Sequence, residues 1–115
     1  MKNFVQPGNT LSVIAPTGGV TSGAGVLIGN LFGIAAASAT EGTSVSLTTV
    51  GVFDLPKLGT DTIDQGQRVY WDAANAHITE ASTGNYPVGI ASEAAGNGTT
   101  SVRVRLDGIS TAPAA

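Results

Sequence analysis

The segment Ser101-Val102-Arg103-Val104-Arg105-Leu106 carries an apolar side chain at every second position. Side chains alternate across a strand, so Val102, Val104 and Leu106 share one face and Arg103 and Arg105 share the other. This spacing predicts a β-strand with one face in a core and one in water. Upstream, Arg68-Val69-Tyr70-Trp71, Ala76-His77-Ile78-Thr79 and the run from Tyr86 to Ala91 are short apolar-polar segments of the same kind, separated by Gly, Asn and Asp. Together they read as antiparallel strands.

The first half continues the pattern with more glycine. Leu11 to Ala15 reads as a strand closed by Pro16, Gly18 and Gly19, and the four glycines between residues 18 and 25 mark a loop. Val26-Leu27-Ile28 reads as a buried strand. Leu31 to Ala37 fits either a strand or an Ala-rich helical turn, and Gly29 and Gly33 favour the strand. Val45 and Leu47 fall in one phase and Val50 and Val52 in the other, so a β-bulge is expected near Thr48 and Thr49. Pro56 lacks a donor and fixes its own φ, which predicts a loop or a single helical turn from Asp54 to Gly59.

About seven to nine short strands with no sustained helical period predict an all-β fold, a small compact antiparallel β-barrel or sandwich. The expected organisation is an extended N-terminal arm over residues 1–10, a single β domain over 11–110 and a frayed C-terminus over 111–115. The expected core is Val13, Val45, Leu47, Val69, Trp71, Ile78, Val88, Ile90, Val102, Val104 and Leu106.

Composition narrows the function classes. Charged residues are 11% of the 115 residues and the net charge is −3, which leaves a surface of Thr, Ser, Gly, Ala and backbone that desolvates readily against another protein. Five basic residues and a sequence pI near 4.7 offer little to neutralise phosphates, so no direct nucleic-acid partner is expected. There is no cysteine for a disulfide, a thiolate nucleophile or a Cys-based metal site. The opening MKNFVQPG is not followed by a signal-peptide apolar stretch, and no window approaches about 18 apolar residues, so no membrane partner is expected and synthesis in a host cytoplasm is.

Reacting groups are equally sparse. A P-loop needs Gly-Lys followed by Ser or Thr, whereas Lys2 follows Met1 and Lys57 follows Pro56. Gly23, Gly25 and Gly29 miss the dinucleotide spacing by one residue and lie in no βαβ unit. His77, the sole histidine, would have to serve any Ser-His-acid triad or imidazole metal site, and a surface strand position accounts for it better. Asp61 and Asp64 read as loop or Asx-turn residues, and Asn97-Gly98-Thr99 as a turn. No catalytic, cofactor-binding or metal-binding residue is expected. Arg103 and Arg105 are candidate partner-facing charges. Tyr70 and Trp71 point to opposite faces, with Trp71 a core anchor.

Longer stretches carry a resemblance: Asn3-Phe4-Val5-Gln6-Pro7-Gly8, Gly51-Val52-Phe53-Asp54-Leu55-Pro56-Lys57, Gln65-Gly66-Gln67-Arg68-Val69-Tyr70-Trp71-Asp72, Gly84 to Ala91, and Val102 to Leu106. Over nearly its whole length the chain resembles a family of small phage proteins understood as capsid decoration (cement) proteins, often labelled phage RecA/RadA-like recombinases. The recombinase label fails physically, because this chain has neither a P-loop nor a long basic surface. The resemblance implies a non-enzymatic structural virion protein on the outer capsid surface. It would bind the phage major capsid protein and itself, as a trimer in preference to a dimer, and stabilise the expanded head by bridging capsid subunits.

The expected capsid contacts are the arm residues Phe4, Val5 and Gln6, then Phe53, Leu55, Pro56 and Lys57, because apolar residues in arms and Pro-broken loops lack an intramolecular partner. Two other classes make different predictions. A virion-displayed carbohydrate- or receptor-binding module would stack ligands on Tyr70 or Tyr86. A nucleotide-dependent DNA enzyme would hydrolyse ATP or bind duplex in a salt-dependent way.

Overall fold

Period-two patterning produces nine strands among residues 8–113, the residues described by this computed structural model. They are β1 (Thr10–Ile14), β2 (Gly25–Ile28), β3 (Leu31–Ala35), β4 (Ser44–Thr48), β5 (Val50–Pro56), β6 (Arg68–Asp72), β7 (His77–Thr79), β8 (Tyr86–Ala91) and β9 (Ser101–Asp107). They form two antiparallel sheets, a four-stranded one in the order β1-β4-β3-β2 and a five-stranded one in the order β5-β9-β8-β6-β7. The fold is all-β and antiparallel as the strand and turn spacing predicts, and between barrel and sandwich it has the two sheets of a sandwich. β3 resolves the helix-or-strand ambiguity at Leu31 to Ala37 because both its faces are covered, and Phe32, Gly33, Ile34 and Ala35 are all buried.

The main core lies between the sheets. Val69, Trp71, Ile78, Val88, Ala91, Val102, Val104 and Leu106 of the five-stranded sheet meet Phe32 and Ile34 of β3. Trp71 packs on Phe32 with ring centroids 5.0 Å apart and planes tilted by 49°, an offset geometry that aromatic quadrupoles favour. This contact requires a glycine opposite it. A Cβ on Gly25 would sit 2.8 Å from Trp71 Cη2 and 3.0 Å from Phe32 Cζ. A second, smaller cluster of Val26, Ala35 and Leu47 fills the other face of the four-stranded sheet, with Val13 half-buried against it.

Several local expectations are corrected. The phase change at Thr48 and Thr49 is not a bulge but the crossing from one sheet to the other: β4 ends at Thr48 and β5 begins at Val50. Thr49 is buried at the corner, its amide donating to Asn9 O at 2.8 Å and its hydroxyl to Gly8 O at 2.9 Å. Phe53 and Leu55, not Val52, face inward in β5. The strand also runs on through Asp54, Leu55 and Pro56, because β5 is an edge strand and Pro56 occupies its last position, where a missing amide donor is tolerated.

The bulge lies elsewhere. Val69 pairs with Gly89 and Tyr70 with Pro87, leaving Val88 as an extra residue on β8. Beyond it Gly89 and Ala91 turn inward opposite Leu106 and Val104, and Ile90 turns outward opposite Arg105. Ile90, expected in the core, is therefore 36% exposed. Thr111, expected in a frayed terminus, is buried; its amide donates to Asn30 O and its hydroxyl to Pro87 O.

The five-stranded sheet rolls far enough for its two edges to meet. Lys57 forms a parallel bridge with Ile78, and Leu58 N donates to Ile78 O at 3.0 Å.

Candidate functional site

Of the expected contact residues, Phe4, Val5 and Gln6 lie outside the described residues. The remaining four share one short segment but not one surface. Leu55 is in the core at 1% exposure and Phe53 packs against the same cluster, so only Pro56 is exposed. Lys57 is buried too, because its stem follows the alternation of β5 inward. Its ammonium donates to Leu58 O and Asp61 O, both at 2.7 Å. Leu55 and Lys57 therefore hold the fold together and are not available to a partner surface, while Phe53 is half-buried.

The two arginines of β9 diverge. Arg103 sits opposite Asp54 of β5, donating from Nε to Oδ1 at 3.0 Å and from Nη2 to Oδ2 at 3.4 Å, and it reaches Glu93 through Nη1 at 3.1 Å. These bonds hold the Asp54 carboxyl below its ordinary value and raise the Arg103 guanidinium. Its charge is spent within the molecule. Arg105 instead lies between two aliphatic residues, opposite Val52 of β5 on one side and Ile90 of β8 on the other. Ile90 in turn lies opposite Arg68 of β6.

The result is an outward row across four strands, Val52, Arg105, Ile90 and Arg68, alternating aliphatic and basic. Val52 is 53% exposed, and Ile109, just past β9, is 70% exposed. A cleft of about 280 Å³ opens at the end of the row, lined by Arg68, Pro87, Ile90, Asp107 and Ile109 among others. The Asp107 carboxylate accepts the Ile109 amide at 3.2 Å. Arg68, Val52, Ile90 and Ile109 were not singled out as surface residues by sequence. The outward turn of Ile90 depends on the Val88 bulge, and Val52 is outward because β5 starts in a new sheet.

The remaining polar candidates are structural. Asp61 Oδ2 accepts from the Thr79 hydroxyl at 2.6 Å and from the Glu80 amide at 2.9 Å, tying its loop to the end of β7. Asp72 accepts from the Ala74 and Asn75 amides and from Asn75 Nδ2, which holds its carboxyl below the ordinary value and shapes the β6–β7 turn. His77 Nε2 stands 3.6 Å from Asp72 Oδ2. Ala76 in this turn has φ 54°, the left-handed region that an L side chain seldom adopts. Tyr70 and Tyr86 are half-buried, Tyr86 against the main core. Among the described residues no three His, Asp or Glu side chains gather as a metal site would require.

A second cleft, of about 350 Å³, runs beside β2 between the glycine-rich loop and the β6–β7 turn, with Val20, Leu27 and Trp71 in its lining. It is open, and it carries no charged side chain.

Compared with known proteins, residues 5–106 match the family model described as phage cement protein. No curated protein and no solved structure matches the chain. The match spans most of the chain, from before β1 to the penultimate residue of β9, and the family is a structural one rather than a class of enzyme. The chain belongs to the phage cement protein family, structural proteins of the virion that bind the capsid.

Proposed function

We propose that this protein sits on the outer surface of the phage head and bridges neighbouring major-capsid subunits, so that it stabilises the expanded shell. The family match over residues 5–106 carries this reading. The exposed Val52, Ile90 and Ile109, together with the low charge content, support a surface meant for protein contact. A ligand that binds one state of a shell and not another stabilises that state by mass action. Copies that self-associate, as trimers in preference to dimers, engage several subunits at once and gain effective concentration for each later contact. The arm residues Phe4, Val5 and Gln6 and the exposed Pro56 are proposed contacts in this bridging.

The test is to mix purified protein with undecorated expanded heads and with unexpanded heads, and to measure co-sedimentation. Saturable binding to expanded heads with weaker binding to unexpanded ones is expected. Absence of saturable binding to either refutes the reading. Deleting residues 2–7 spares Gly8 and Asn9, whose carbonyls receive Thr49, and a circular dichroism melt checks that the variant is folded. Unchanged occupancy would then remove the arm from the mechanism.

A further inference from the structure

We propose that the outward row Val52, Arg105, Ile90 and Arg68, with the cleft beside Ile109, is a docking surface for a segment of the shell protein in which carboxylates flank aliphatic side chains. The inference rests on the reading above and names the chemistry of the partner.

The argument is one of charge complementarity. The chain carries a net charge of −3 and five basic residues. Among the described ones, Lys57 is buried against carbonyls and Arg103 is paired with Asp54 and Glu93. Arg68 and Arg105 are exposed, and no carboxylate among the described residues forms an ion pair with either. The one acid lining the cleft, Asp107, turns Oδ1 to the Ile109 amide. Among the described residues, the unpaired Lys and Arg charge of an acidic molecule is thus concentrated in one row.

That row is also where aliphatic side chains stand out, with Val52 53%, Ile90 36% and Ile109 70% exposed. Adjacent strands lie about 4.8 Å apart, so the two guanidinium-bearing strands, separated by β8, are roughly 10 Å apart with Ile90 between them. A partner that seats an aliphatic residue beside Ile90 can place a carboxylate on each arginine, and Arg suits such bidentate contacts. A second copy of this chain fits the row poorly, because face to face its own row offers each arginine an arginine or an aliphatic residue and no carboxylate.

The test uses the full chain and expanded heads. Arg68→Glu with Arg105→Glu should raise the apparent Kd about ten-fold or more, since two exposed pairs become two repulsions. Arg68→Lys with Arg105→Lys should weaken binding less than the double Glu variant, since the charge is kept and only the bidentate geometry is lost. Wild-type binding should weaken with added salt, because charges at an exposed rim are screened over about 10 Å. Trp71 emission verifies that each variant is folded. Equal binding by wild type and the double Glu variant overturns the inference while leaving the bridging reading intact, whereas failure of wild type to bind overturns that reading itself. If the double Glu substitution changes the sedimentation mass of the free protein and not head binding, the row is a self-contact and the inference is likewise overturned.

Discussion

Replacing Gly25 by alanine places a methyl group 2.8 Å from Trp71 Cη2 and 3.0 Å from both Trp71 Cζ3 and Phe32 Cζ, where ordinary carbon contacts need 3.4 Å or more. The backbone at Gly25 is not in the left-handed region, so the clash is purely one of side chains. Trp71 is 4% exposed and packed in the main core, so moving its indole away from Gly25 disturbs that packing. Overpacking of this kind costs about 1–3 kcal/mol. The lower unfolding entropy of alanine returns about 0.4–1 kcal/mol. A net loss of about 1–2 kcal/mol follows, which at about 4 °C per kcal/mol for a chain of this size lowers the Tm by about 4–8 °C. Trp71→Leu removes the far ring of the indole and costs about 2–4 kcal/mol through the cavity it leaves. In that background the Gly25→Ala methyl enters the vacated space, and Gly25→Ala should become neutral or stabilising. Thermal and urea melts of all four proteins by circular dichroism give the coupling, expected at about 1–2 kcal/mol. Strictly additive effects would show that the indole does not rest on Gly25 and would refute this account of how the sheets meet.

Gly89→Ala should be far more disruptive, because its Cβ would overlap the backbone oxygen of Arg105, which cannot move without breaking the β8–β9 ladder; loss of soluble, cooperatively melting protein is the readout. Lys57→Ala leaves the carbonyls of Leu58 and Asp61 without their donor and should lower stability by about 1–3 kcal/mol in urea melts. Asp54 has its folded pKa below the ordinary 3.8 because of Arg103, so its contribution is present above that value and is lost as pH falls through the folded pKa. Asp54→Asn should therefore flatten part of the decline in urea midpoint as pH falls through and below 3.8, and an unchanged pH profile would remove the pair from the stability balance.

What could be read from the sequence was local. β9 is legible because Val102, Val104 and Leu106 alternate with arginines over one unbroken strand. Trp71 and Val69 are legible as core for the same reason, as both are inward residues of β6. Ile90 was not, because the alternation of Val88 and Ile90 continues in the sequence across a bulge that exists only through pairing with Val69 and Tyr70. The phase change at Thr49 was visible, but a bulge and a crossing between sheets have the same pattern, and only long-range pairing separates them. Lys57 illustrates a third case. A lysine after proline suggests an exposed loop, and its burial depends on the carbonyls of Leu58 and Asp61 that the rolled sheet brings to it. The surface row was hidden for the same reason, since its residues come from positions 52, 68, 90 and 105 and become neighbours only through the strand order.

Thr111 determines how this molecule would respond to force. Tension applied beyond residue 113 first loads the Thr111 bonds to Asn30 and Pro87, one in the β2–β3 turn and one in β8. Only after both give way does the load reach β9, which lies between β5 and β8 and must slide along two neighbours rather than peel from one. A tether attached at that end would pull on a latch spanning both sheets, and rupture should be a shearing event at high load instead of a gradual unzipping.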